Sequence, residues 1–244
     1  MPRSRNLFDP KSEKPFKLSR SKVELFLRCA RCFYLDRRMG VGQPSGPPFT
    51  LNNAVDALLK KEFDGYRERG EPHPLMQENG VRAVPFRHSQ LDTWRSNFVG
   101  VQHLHEATNL LVYGAVDDLW IGDEELLHVV DYKATSTDKM ISLDDPWKQA
   151  YKRQMEFYQW LLRRSGFNVS NVGYFVYVNG LKDGAVFDSS LHFQTHLLSH
   201  QGSDDWVEQA IKDARACLDA AGPPEAAASC DWCVYRRDAQ LLGI

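Results

Sequence analysis

The stretch that decides the fold runs Gly114-Ala115-Val116-Asp117-Asp118-Leu119-Trp120-Ile121, then Gly122-Asp123-Glu124-Glu125, then Leu126-Leu127-His128-Val129-Val130-Asp131-Tyr132-Lys133. Two apolar runs flank a short acidic break, the pattern of two strands joined by a tight turn. Each strand carries carboxylate, Asp117 and Asp118 on the first and Asp131 on the second. Side chains alternate along a strand, so Asp131 and Lys133 share one face. The turn lets Asp117 and Asp131 converge on one point at the end of the sheet. Val129 and Val130 make the second strand a buried one, and a charged end there is costly unless it is paired or bound to a cation.

Working outward, a helix is expected over residues 147–164, stopped by Gly166, with Tyr151, Gln154, Tyr158 and Leu161 on one face. Upstream, a helix over 53–69 puts Asp56, Leu59, Phe63 and Tyr66 on one stripe, so Asp56 is a carboxylate in apolar company. Residues 99–106, 110–121 and 125–134 read as a three-strand meander, and 70–97, with Pro72, Pro74 and Pro85, as irregular chain. Further strands are expected at 172–178 and 191–198. A helix at 204–221 turns Trp206, Ala210, Ala214 and Cys217 inward. Nearer the N-terminus one helix runs from Ser21, with Glu24 completing a capping box, into Cys29-Ala30-Arg31-Cys32-Phe33-Tyr34-Leu35.

At 244 residues the chain can hold one large domain or a core with appendages. Its apolar runs are far too short to span a bilayer. The start, Met-Pro-Arg-Ser-Arg-Asn, lacks the apolar core of a secretory signal, so a cytoplasmic protein without membrane attachment is expected. No glycine-rich phosphate loop is present, which leaves ATP use without support. Net charge is −2, but residues 1–38 hold eleven Lys or Arg against four acids, about +7, leaving about −9 on the remainder. A basic arm beside an acidic body can attract phosphate towards a carboxylate site. His103 and His105 alternate on a strand and are expected to be exposed. Arg236-Arg237 can touch a DNA backbone, but such a charge pair is usually just solvated.

Four of the five cysteines form two C-x-x-C pairs, Cys29/Cys32 and Cys230/Cys233, nearly two hundred residues apart. In a cytosolic chain this pattern favours a metal over disulfides, and four thiolates suit either tetrahedral Zn²⁺ or an iron–sulfur cluster. Cys217, on an apolar helical face, reads as core. At the carboxylates the matching chemistry is phosphodiester hydrolysis. Mg²⁺ takes carboxylate oxygens, neutralises the scissile phosphate and acidifies the attacking water. Lys133 can hold that water as it deprotonates and steady the charged transition state.

The order Gly114-Ala-Val-Asp117, Asp131-Tyr-Lys133, Gln154-Met-Glu-Phe-Tyr158 resembles the RecB-like branch of the PD-(D/E)XK nucleases, which includes the Cas-type nucleases of CRISPR spacer acquisition. The resemblance implies a restriction-endonuclease-like α/β core, with a mixed sheet of four or five strands flanked by helices. It implies Mg²⁺ (or Mn²⁺) held by Asp117, Asp131 and the Tyr132 carbonyl, water assisted by Lys133, and strand and DNA positioned by Gln154 and Tyr158. Where relatives carry a His on the helix before the strands, this chain has Asp56, an oxygen ligand suited to Mg²⁺. Glu106 is a weaker candidate on the preceding strand. Related nucleases staple their ends with a 4Fe–4S cluster, which implies Cys29, Cys230 and Cys233 as ligands with Cys32 as the fourth; Zn²⁺ is the alternative.

The expectation is therefore a flexible basic arm, 1–17, followed by a single nuclease domain, 18–244, in which 18–50 and 222–244 form the cysteine staple. Its substrate is DNA, single- or double-stranded, cut during repair, recombination or CRISPR-type processing. The competing reading is a silent nuclease-fold module that binds nucleic acid or a partner protein.

Overall fold

Alternating and β-branched residues dominate the middle of the chain, and there the strands form. The computed structural model describes residues 6–186 and 188–243; Arg3 and Arg5 of the expected basic arm lie outside them. The chain divides into two compact units.

The unit made of residues 48–101 and 114–204 carries a five-stranded mixed sheet. Its strands are β2 (Ala83–Pro85), β5 (Asp118–Gly122), β6 (Leu127–Thr135), β7 (Val172–Gly180) and β8 (Phe193–Gln201), in that spatial order. β6 and β7 run parallel and the other neighbours antiparallel. The β6–β7 crossover is the helix α6 (Gln149–Arg164), as parallel pairing demands. Gly173 on β7 makes its packing possible, because a Cβ there would collide with Met155 of α6. The helix α3 (Thr50–Arg69) drives Phe63 into a core with Met76, Trp120, Val130, Tyr132 and Val176. Phe63 stacks on Trp120 at 5.6 Å between ring centroids. The 70–97 region is more ordered than its prolines imply. It holds α4 (Pro74–Glu78), with Pro74 at the helix start where its missing N–H costs nothing, then β2 and α5 (Leu91–Trp94).

The other unit contains residues 6–47, 102–113 and 205–243. A three-stranded sheet is ordered β1 (Phe16–Ser19), β4 (Leu110–Gly114), β3 (Val101–His105), with β1 and β4 parallel. Around it lie α1 (Arg20–Arg28), α2 (Ala30–Arg37), α7 (Asp205–Asp219) and α8 (Asp231–Leu241). In the stretch expected as an arm, Phe8 is buried against Phe16, and residues 16–17 already pair in β1. Part of the basic charge is used structurally, since Lys22 and Arg37 both bind buried Asp36.

Three sequence expectations give way here. The 110–121 run is two strands in different sheets. Val116 donates its N–H to the Trp94 carbonyl, which takes the backbone out of the ladder between β4 and β5. Gly114 sits so close to Gly100 (φ +65°) that a Cβ on the latter would meet its carbonyl. The first helix breaks at Cys29, whose backbone is extended, and begins at Arg20 without a side-chain cap. His105 is buried, bonded to Thr108 (2.8 Å) and Glu208 (2.9 Å). On α7 the buried residues are Val207, Ala210, Ile211, Ala214 and Leu218, with Trp206 and Cys217 half-buried at the edge of that stripe. No described helix is long and apolar enough to cross a membrane.

Candidate active site and four-cysteine centre

β5 begins at Asp118, which pairs with Val130, so β6 continues past the end of its neighbour. Into the gap reaches Asp117, whose Oδ2 accepts the Tyr132 N–H at 3.0 Å. In a strand, the N–H and C=O of one residue face the same side, so the Tyr132 carbonyl also faces Asp117. Arg95 fixes this connection, donating Nε to the Asp117 carbonyl at 3.0 Å.

Asp131 and Lys133 share one face of β6, as alternation requires. Asp131 is fully buried, and its Oδ2 is ion-paired with the Lys133 ammonium. Burial, joined by the nearby Asp117 charge, pushes the Asp131 carboxyl up to about 7 against the pull of Lys133. Burial works to lower Lys133, but Asp131 and Asp117 outweigh it and hold the ammonium above its ordinary range. Lys133 also lies 4.6 Å over the Tyr151 ring. From α6, Gln154 donates Nε2 to Asp131 Oδ1 at 2.8 Å and to the Tyr158 hydroxyl at 3.2 Å. The i, i+4 spacing that placed Gln154 and Tyr158 on one face therefore holds.

These groups open on a cleft of about 310 Å³, whose wall includes Asp56, Lys60, Asp117, Tyr132, Lys133 and Gln154. Asp56 stands in this cleft but is engaged by Lys60 one turn on, at 2.8 Å. The same ammonium lies 3.6 Å from Asp117. Among the described residues, Asp56 therefore does not join Asp117 and Asp131 in a tight three-ligand group. Glu106 belongs to the other unit and is not part of the cleft wall.

Sequence reasoning missed Lys60, which has no motif of its own and is legible only as the i+4 partner of Asp56. It also missed the neighbour of Asp117. Asp118 is fully buried, bound by Arg67 and by Arg95 (3.1 Å), and takes the Tyr132 hydroxyl at 2.8 Å. Arg95 reaches on to both oxygens of Asp64, at 2.9 and 3.0 Å. Asp118 is thus held in the core, while Asp117 and Arg95 line the cleft and Asp131 is buried beside its wall.

In the other unit, Cys29 lies at the break between α1 and α2, Cys32 one turn later, Cys230 at the cap of α8 and Cys233 in its first turn. Their four Sγ atoms lie within 4.8 Å of one another. The shortest separations, 3.5 to 3.8 Å, are too long for disulfides. Burial works to raise the Cys29 thiol, but backbone hydrogen bonds at Ala227 and Cys32 bring it down to about 7. The group is suited to Zn²⁺ or an iron–sulfur centre.

Two carboxylates and a carbonyl turned towards one gap, with a lysine and a glutamine on the inner carboxylate, can hold a divalent cation and present a water to a phosphodiester. A search of curated proteins returns no match. The family model described as the PD-(D/E)XK nuclease superfamily matches residues 50–237, a span that includes the whole cleft and the second cysteine pair. The chain belongs to the PD-(D/E)XK nuclease superfamily, whose chemistry is metal-dependent hydrolysis of nucleic-acid phosphodiesters.

Proposed function

We propose that the protein is a deoxyribonuclease of the RecB-like branch, dependent on Mg²⁺ or Mn²⁺ and acting in the cytoplasm during DNA repair, recombination or CRISPR-type processing. The observation that carries this reading is the contact of Gln154 with Asp131, which joins the helix motif to the Asp-x-Lys strand as one site.

The donor set fits a hard cation. Asp131 is buried beside a second carboxylate, so its charge is costly until a cation balances it. Asp117, Asp131 and the Tyr132 carbonyl would hold the ion, with Asp56 as the further carboxylate. The ion supplies charge neutralisation at the phosphate and acidification of the attacking water. The chain supplies the rest. Gln154 and Tyr158 lock the rotamer of Asp131, and Lys133 orients the water and steadies the developing negative charge.

Cleavage of end-labelled single- and double-stranded DNA, with and without Mg²⁺ or Mn²⁺, tests the proposal. Wild type cuts, and Asp131→Asn and Lys133→Ala do not. Failure of the wild type to cut either form with either ion would sink it. A silent binding module is favoured by one observation, the Lys60 ammonium already set between Asp56 and Asp117. Lys60→Ala separates the two. The nuclease keeps measurable cleavage with altered metal dependence, whereas a silent module stays inactive.

For the cysteines the spacing supports one tetrahedral ion. Four sulfurs about 2.3 Å from a central Zn²⁺ stand roughly 3.8 Å apart; here three pairs are 3.5 to 3.8 Å apart and all lie within 4.8 Å. The iron ions of a 4Fe–4S cube would spread them further. Elemental analysis decides: about one zinc per chain supports the reading, while iron with visible absorbance restores the cluster.

A further inference from the structure

In the cysteine-bearing unit, helix α8 stands as a ridge between two clefts that the proposed cleavage chemistry does not use. One cleft, of about 310 Å³, is lined by Arg31, Arg236 and Arg237 together with Cys233, small alanines and Gln240, and among the described residues no carboxylate lines it. Arg31 and Arg236 have no ion pair among the described residues. Arg237 pairs with its neighbour Asp238 at 2.9 Å, both exposed, a contact that opens at little cost. The second cleft, of about 220 Å³, is apolar. Cys32, Leu35, Val41 and Pro44 face Trp232 and Tyr235, and Arg236 stands on the wall of both clefts. Trp232 is 37% and Tyr235 70% exposed.

We infer that this face binds single-stranded nucleic acid, with a backbone phosphate in the arginine cleft and the adjoining base against Trp232 and Tyr235. The inference rests on the nuclease reading above and adds a binding site to it. Three guanidinium groups, of which only Arg237 has an acid beside it, in an exposed pair with Asp238, are a site for an anion, and their planar forks match phosphate oxygens. Residues 232, 235 and 236 lie on one face of α8, so the aromatic rings and the guanidinium are neighbours there. Aromatic faces accept any base, which suits contact without sequence preference. A duplex keeps its bases stacked inside and offers phosphate alone, so the apolar cleft argues for a single strand. A metal held by the four cysteines would tie the first turn of α8 to Cys29 and Cys32 and give the ridge a fixed base.

Anisotropy titrations with labelled oligo-dT, made in an Asp131→Asn background so that the probe survives, test this directly. R236Q/R237Q is expected to weaken binding about tenfold or more and to flatten the salt dependence by about 0.7 in log–log slope for each phosphate left without its arginine. W232A/Y235A is expected to weaken it about tenfold while leaving that slope alone. In an otherwise wild-type chain, both double variants raise KM for DNA cleavage and leave kcat at saturating substrate unchanged. Unchanged affinity, slope and KM in a chain that still cleaves would overturn the inference and leave the nuclease reading standing. Equal affinity for duplex, with no effect of W232A/Y235A, overturns the single-strand assignment. Competition by poly-glutamate as strong as by oligo-dT overturns the nucleic-acid assignment. A wild type that neither binds nor cuts any DNA removes the nuclease reading and this inference with it. Should a double variant lose its cysteine-bound metal, Y235A alone, at a position 70% exposed, carries the same measurement.

Discussion

Gln154, on the first turns of α6, donates its side-chain N–H to the Oδ1 atom of Asp131 over 2.8 Å, and Asp131 is fully buried. A carboxylate without solvent takes its orientation from such contacts. Gln154→Leu is therefore expected to lower cleavage about 10- to 100-fold, the usual cost of losing a partner that orients a ligand. Overall stability should change little, because Gln154 lines the cleft wall. Matched kinetics and thermal melts check this, and an unchanged rate would remove Gln154 from the site.

Lys133 and Asp131 are a buried ion pair, and the two members have separable effects. Lys133→Met should cost about 10²- to 10³-fold in kcat. It should also cost several kcal/mol of stability, about 3–5, since Asp131 is left buried without its cation. Asp131→Asn combined with Lys133→Met should regain most of the stability and none of the activity. Urea denaturation of the three variants gives the comparison. A double variant no more stable than the single one contradicts the pairing argument.

Asp118 differs from its neighbour Asp117 in role. It is enclosed by Arg67, Arg95 and the Tyr132 hydroxyl. Asp118→Ala leaves two guanidinium groups short of their partner and should destabilise by about 3–5 kcal/mol. Arg95 also holds the Asp117 carbonyl, so the damage should extend to metal affinity. Denaturation together with calorimetric Mn²⁺ titration measures both effects.

Asp36 gives a pH signature in the cysteine-bearing unit. Burial works to raise its carboxyl, but hydrogen bonds from Arg37 and Lys22 win and hold it below the ordinary 3.8. The unfolded chain therefore binds the proton first as pH falls. The stabilisation is fully present above about 3.8, and it is lost as pH drops through the lower folded value. The stability difference between wild type and Asp36→Asn should be flat near neutrality and shrink below pH 4. A difference that stays constant down to acid unfolding would show that Asp36 is not held this way.

The residues that carry the candidate site were readable because their relations are local. Asp131 and Lys133 sit two apart on a strand, and Gln154 and Tyr158 four apart on a helix. Backbone geometry alone puts each pair on one face. The two C-x-x-C pairs were readable for the same reason. The apolar run before Asp131 also marked its strand as buried, and it is.

What the sequence left open depends on contacts between distant segments. Residues 110–121 are mostly apolar apart from Asp117 and Asp118 and read as one strand, whereas the tertiary hydrogen bond from Val116 to Trp94 accompanies their division between two sheets. Asp117 and Asp118 are adjacent and chemically identical. One faces the cleft and the other the core because Arg67, 51 residues before Asp118, supplies a buried cation to that side alone. Asp56 was recognisable as an odd carboxylate on an apolar stripe, but its engagement by Lys60 and the approach of that ammonium to Asp117 required α3 to lie along the cleft. Local periodicity thus determined which side chains share a face. Long-range packing decided which charges meet across the elements, because burial makes a charge depend on whatever partner the fold brings to it.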